Sequence, residues 1–130
     1  MKYFLAKTEP STYSIEQFEK DKVTEWDGVH SYAAIGFIKQ MQIGDRVFIY
    51  HSLKGLSIVG EAEVIGEPYL NTEDPRFSWA VKLRFIRKFD GPRLLDFKAQ
   101  PNFASFDLVR QSRLSTMKVP DDVAQWIMAF

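Results

Sequence analysis

The sequence predicts a mainly-β α+β domain: a compact β-barrel or strongly curved sheet of five to six strands, flanked by short helices. Runs rich in β-branched and aromatic residues recur between turn-forming groups such as Lys54-Gly55-Leu56 and Asp90-Gly91-Pro92. Helical spacing is confined to three short segments, and the regular strand–helix alternation of a doubly wound fold is missing. With 130 residues, 45% of them hydrophobic, the chain fits one domain over residues 1–130.

Tyr3–Thr8 reads as a buried strand that Glu9-Pro10 ends, because Pro10 cannot donate to a ladder and biases Glu9 toward extended geometry. Ser14-Ile15-Glu16-Gln17 has capping-box spacing, and Ile15 with Phe18 gives a short helix over 14–20 its apolar face. A loop holding Trp26 follows. Ser31 then caps a helix over 31–41, in which Ala34, Phe37, Ile38 and Met41 recur at helical spacing. Ile43-Gly44-Asp45 turns the chain into a strand over 46–52, whose alternation points His51 and Ser52 to opposite faces. After the turn at Lys54-Gly55-Leu56, a strand over 58–65 returns antiparallel. Its Gly60, Ala62 and Val64 face inward, small enough to admit a close neighbour, while Glu61 and Glu63 face out. The cleanest strand runs over 79–85, with Lys82 and Arg84 outward. Short helical turns over 94–100 and 102–106 precede strand character at 108–115. Pro120 opens a last helix whose apolar face is Val123, Trp126, Ile127 and Phe130.

Composition narrows the chemistry. Basic and acidic side chains number 17 each, so any nucleic-acid contact must come from local charge placement. The absence of cysteine excludes disulfides, thiolate metal sites and cysteine nucleophiles. Two histidines, His30 and His51, are too few for a His-rich metal centre, and no P-loop, dinucleotide fingerprint or nucleophile elbow occurs. No metal and no cofactor are therefore expected. A signal-like start and a membrane-spanning apolar run are also missing, so no membrane partner is expected and a cytoplasmic location is.

Chemistry concentrates at Trp26-Asp27-Gly28-Val29-His30-Ser31-Tyr32. Two aromatics, a glycine that permits a bend and several short hydrogen-bonding groups suit a site that stacks a flat ring and reads its edge. The same residues would also serve as core plugs around a turn. Stacking one base on an aromatic contributes about 1–3 kcal/mol. Lys82, Arg84, Arg87, Lys88 and Arg93 form one basic group, and Arg110 with Arg113 beside Ser112 forms another. If they border one cleft, they contact phosphates, which position a nucleic acid without reading its sequence. His51 leaves open a small hydrolase or nucleic-acid-modifying enzyme with the ring as general base. A protein-interaction module is a third reading.

Several segments line up in order: Lys7-Thr8-Glu9-Pro10, Tyr13-Ser14-Ile15, Trp26-Asp27-Gly28-Val29, Gly44-Asp45, Tyr50-His51-Ser52, the run from Ile58 through Val64, and Arg110-Gln111-Ser112-Arg113-Leu114-Ser115. Together they resemble the EVE domain, the thymocyte nuclear protein-like family, over essentially the whole chain. The resemblance implies a PUA-like β-barrel related to the YTH readers of methylated adenine in RNA. It also implies a non-catalytic reader of a modified base, a modified cytosine or methylated adenine, in DNA or RNA. Carried onto this sequence, the implied base pocket has Trp26 as a stacking wall, with Lys7, Glu9, Ser31, Tyr32, His51 and Ser52 around it. Arg110, Ser112 and Arg113 fall at its rim or on the phosphate path. One departure stands out. Many relatives carry Asn-Tyr after the Trp-Asp-Gly-Val segment and Ala-Arg-Asn before a Phe; here the span is Ser31-Tyr32-Ala33-Ala34-Ile35-Gly36-Phe37. Ser31 lacks the paired donor and acceptor of an amide, and Ile35 replaces an arginine, which bears on the ligand and not on the fold.

Overall fold

In the computed structural model, which describes residues 1–130, seven strands form one sheet: β1 (Tyr3–Thr8), β2 (Val23–Val29), β3 (Arg46–His51), β4 (Ser57–Val64), β5 (Tyr69–Asn71), β6 (Ser78–Lys88) and β7 (Thr116–Val119). The order is β2-β6-β4-β3-β1-β7, with β5 added on β6, and the sheet curls into a half-barrel. Only the β1–β3 pair is parallel. Five short helices flank it: α1 (Ile15–Asp21), α2 (Tyr32–Gln40), α3 (Leu94–Lys98), α4 (Asp107–Arg110) and α5 (Asp121–Met128). None is long and apolar enough to cross a membrane.

Local rules account for the helices nearest the sheet. The hydroxyl of Ser14 accepts from the Gln17 amide at 3.1 Å, and that of Ser31 from the Ala34 amide at 3.2 Å, so both expected caps are in place. α1 packs on β2 and β6, and α2 on β6 and β7. From Val47 to His51 every residue of β3 is buried, so this central strand is covered on both faces. Gly60 admits the close neighbour that its size allows: a Cβ there would collide with the Ile15 side chain of α1 and sit 2.9 Å from the Arg87 carbonyl.

Three local expectations change. Trp26 lies in strand β2 and not in a loop. The β2–β6 register shifts between Trp26 and Val29, and Gly28 adopts a φ of 76°, so a bulge hides the strand's period. The last strand is β7 at Thr116–Val119. Residues 107–110 instead form the turn α4, where the Asp107 side chain accepts from the side chains of Arg110 and Gln111 at 3.2 and 3.0 Å. Glu61 is not a solvated outward carboxylate: it is 5% exposed, covered by Arg46 at 3.2 Å and Arg87 at 2.9 Å.

Candidate nucleic-acid interface

A cleft of about 410 Å³ opens where the end of β1, the turn before α1 and the middle of β2 converge. β1 contributes Lys7 and Thr8, the turn Thr12 and Tyr13, and β2 the run Thr24-Glu25-Trp26-Asp27. Alternation puts Thr24 and Trp26 on one face of β2, and the bulge at Asp27-Gly28 turns the Asp27 side chain toward the same space. Trp26 is 8% exposed, seated edge-on against Tyr13 and tilted on Phe18, each with ring centres 6.1 Å away. It is therefore a rigid back wall, already anchored in the core.

The facing wall is tied down as firmly. The Thr8 hydroxyl donates to the Tyr13 carbonyl at 2.8 Å, and the Tyr13 phenol donates to Asp21 at 2.8 Å. Burial, with Asp21 adding to it, pushes the Tyr13 phenol up. Glu25 accepts from the Tyr69 hydroxyl at 2.9 Å. Donors from lysine and threonine thus share the cleft with two carboxylates and two aromatic rings, and the volume falls within the range of small-molecule pockets.

Lys7 is the junction of the site. Its ammonium donates to the Ser112 carbonyl at 2.9 Å, lies 5.8 Å from the centre of the Tyr50 ring, and is pushed down in pKa by burial. Beyond it lies an apolar cavity of about 380 Å³, formed by Tyr50, Leu53, Leu56, Leu94 and Leu108 with Ser52 and Ser112. Ser112 in turn belongs to an open basic cavity of about 440 Å³, shared with Ser31, Arg110, Gln111, Arg113 and Leu114.

The expected residues distribute accordingly. Lys7 and Trp26 meet in the cleft, while Ser31, Arg110, Ser112 and Arg113 meet in the basic cavity, and Ser52 lines the apolar one. Glu9 is exposed; its backbone carbonyl accepts from the Thr12 and Tyr13 amides at 2.9 Å and so shapes the turn. Tyr32 opens α2 and is 89% exposed. His51 sits apart, with its Nε2 accepting the Ile15 amide at 3.1 Å. Lys82 and Arg84 stand on the exposed face of β6, lining none of these cavities, and Arg84 is bonded to Glu63. Their basic neighbours are also paired: Arg87 with Glu61, Lys88 with Glu16 at 3.3 Å, and Arg93 with Asp96 at 3.3 Å. Arg110 pairs with Asp107, whereas Arg113 has no acidic partner within 4.0 Å. The sequence does not mark Thr8, Thr12, Tyr13, Thr24, Glu25 or Gln111 as site residues; for Thr24, the two-residue spacing from Trp26 is the signal that finds it.

The curled half-barrel with its flanking short helices is a PUA-like fold. The chain belongs to the EVE domain family, whose model matches residues 2–130. Thymocyte nuclear protein 1 of Rattus norvegicus is 37% identical over 79 residues, covering 52% of this chain and 35% of the relative. The Gallus gallus protein is 30% identical over 92 residues, covering 58% and 38%. The matches thus span little more than a third of these relatives' length. A solved protein of Rhodopseudomonas palustris superposes with a TM-score of 0.90 at 33% identity, covering 99% of this chain and 92% of that one. Human THYN1, solved in complex with 5-methylcytosine-containing DNA, shares the fold with a TM-score of 0.86 at 22% identity, covering 99% and 96%.

Proposed function

We propose that this domain is a non-catalytic reader of DNA or RNA that holds one modified base in the Lys7–Trp26 cleft. The observation that carries this reading is the continuity of two different surfaces: an aromatic-backed polar cleft joined, through the Lys7–Ser112 contact, to a basic cavity. A base lifted from its stack would lie against Trp26 and Tyr13. Asp27 and Glu25 are acceptors for an exocyclic amine, the group that cytosine and adenine present and thymine lacks. Arg110, Ser112 and Arg113 would meet the adjoining phosphates, with Lys82 and Arg84 left to longer-range contacts. The DNA complex of human THYN1 makes modified cytosine the first base to test. The non-catalytic reading is supported by His51, whose ring is spent on a backbone amide outside the cleft.

Binding to matched oligonucleotides that differ in one base, in DNA and in RNA and at two salt concentrations, tests the reading. Methylated and hydroxymethylated cytosine and methylated adenine form the panel. A preference for one modification, with binding of the amine-bearing base weakened by Asp27→Asn at unchanged thermal stability, is the expected result. Equal, strongly salt-dependent binding to every oligonucleotide would overturn it.

A further inference from the structure

The first amides of a helix have no partner within the helix and must find one elsewhere. In α1 the Gln17 amide goes to the Ser14 hydroxyl, while the Ile15 amide goes to Nε2 of His51 on β3. His51 stands opposite Thr8 in the parallel β1–β3 register, and the Thr8 hydroxyl holds the Tyr13 carbonyl. Residues 13–15 are therefore pinned at three points: by Thr8, by the Ser14 cap and by the imidazole. The Ile15 side chain, buried against Gly60, completes the anchorage. We infer that His51 is a positioning residue for the base cleft: its neutral ring holds the start of α1, and with it the Tyr13 wall, and protonation of the ring releases that wall. This rests on the reading of the Tyr13–Trp26 cleft as the base site.

Accepting the Ile15 amide requires an unprotonated Nε2, so the ring's proton sits on Nδ1. A second proton would turn Nε2 into a donor facing a donor, at the positive end of a helix. The charged groups around the ring are Glu16 on α1, Lys54 in the turn after β3, and Lys88 and Asp90 at the end of β6, with Glu16 bonded to Lys88. Burial pushes the His51 imidazole down and Glu16 partly opposes it, leaving it below its ordinary value of 6.5. The tether is thus intact at neutral pH and is lost as pH falls through the ring's own lowered pKa. Folding stability follows the same sign: it is fully present above the unfolded imidazole's pKa and declines on acidification.

The test compares wild type, His51→Gln and His51→Ala from pH 7.5 downward through the titration of the ring, reading affinity for the preferred oligonucleotide and the exchange protection of the Ile15 amide in the free protein. Wild type should lose about tenfold in affinity over this range, the scale of one lost hydrogen bond, together with Ile15 protection. His51→Gln keeps an acceptor without titrating, so its profile should be flat. His51→Ala should be weak and unprotected at both ends. An Ile15 amide equally protected in His51→Ala, or a His51→Gln profile that falls like wild type, overturns the inference. Should His51→Ala fail to fold, the wild-type and His51→Gln profiles decide alone. A wild type with no base preference at pH 7.5 sinks the reader hypothesis by itself, and the exchange data still judge His51.

Discussion

The two helices beside the sheet begin in the same way and are held very differently. At the start of α1, a serine cap is reinforced by the His51 ring and by the Thr8 hydroxyl one residue upstream, and the Ile15 side chain is wholly buried. At the start of α2, the Ser31 cap is followed by Tyr32 standing in solvent, and a glycine sits in the helix interior at position 36. The first start walls the compact polar cleft; the second borders the open basic cavity. Reading the edge of one base demands fixed donors and acceptors, whereas meeting phosphates demands charge near a flexible chain. The proposed division of labour follows that contrast in anchorage.

Breaking the rigid side gives the largest effect. Trp26→Ala empties the space behind Tyr13 and Phe18 and should cost about 3–5 kcal/mol of stability in urea titrations, while Trp26→Phe should stay folded and bind the base weakly. A Trp26→Ala protein of undiminished stability would mean that the back wall is not part of the core. Asp27→Asn comes next. It retains size and fold, exchanges a carboxylate oxygen for an amide NH2 donor, and should weaken binding of the amine-bearing base by about tenfold. An unchanged affinity would move base reading away from the β2 bulge.

On the open side the effect should be smaller and of another kind. Arg113 has no acidic partner, so Arg113→Ala should weaken binding to all oligonucleotides alike and reduce the slope of log affinity against log salt by about 1. Arg84→Ala, removing a guanidinium already spent on Glu63, should leave that slope nearly as it was. Equal responses from the two would show that the nucleic acid wraps across β6 as well.

What the sequence makes legible follows the range of the interactions. β1, α1 and α2 are readable to within a residue or two, because caps and apolar spacing are local. β2 is not, since its bulge at Asp27-Gly28 destroys the alternation by which a strand is recognised. Nor is the pairing of the β6 cations: a run with one acid among five bases looks free until the neighbouring strand brings Glu61 and Glu63 beside it. Trp26 and Lys7 are readable as candidates from residue type and family resemblance. Tyr13 is placed by the Thr8 hydroxyl across the turn before α1, and the Ile15 amide beside it by a ring 36 residues away, which no local pattern encodes.

The smallest predicted effect bears on whether the glycine inside α2 serves binding. Gly36 lies in a helix interior, where glycine costs about 0.5–1 kcal/mol relative to alanine through the entropy of the unfolded chain. A Cβ at this position meets nothing within 4 Å, so no steric penalty offsets the gain. Gly36→Ala should accordingly raise the thermal midpoint, with stability up by about 0.5–1 kcal/mol. If base preference and salt slope stay as in wild type, the glycine is a tolerated departure from the family pattern. If stability rises while affinity for every oligonucleotide falls, the Ser31 end of α2 must yield to admit the phosphate chain, and the contrast between the two helices is functional.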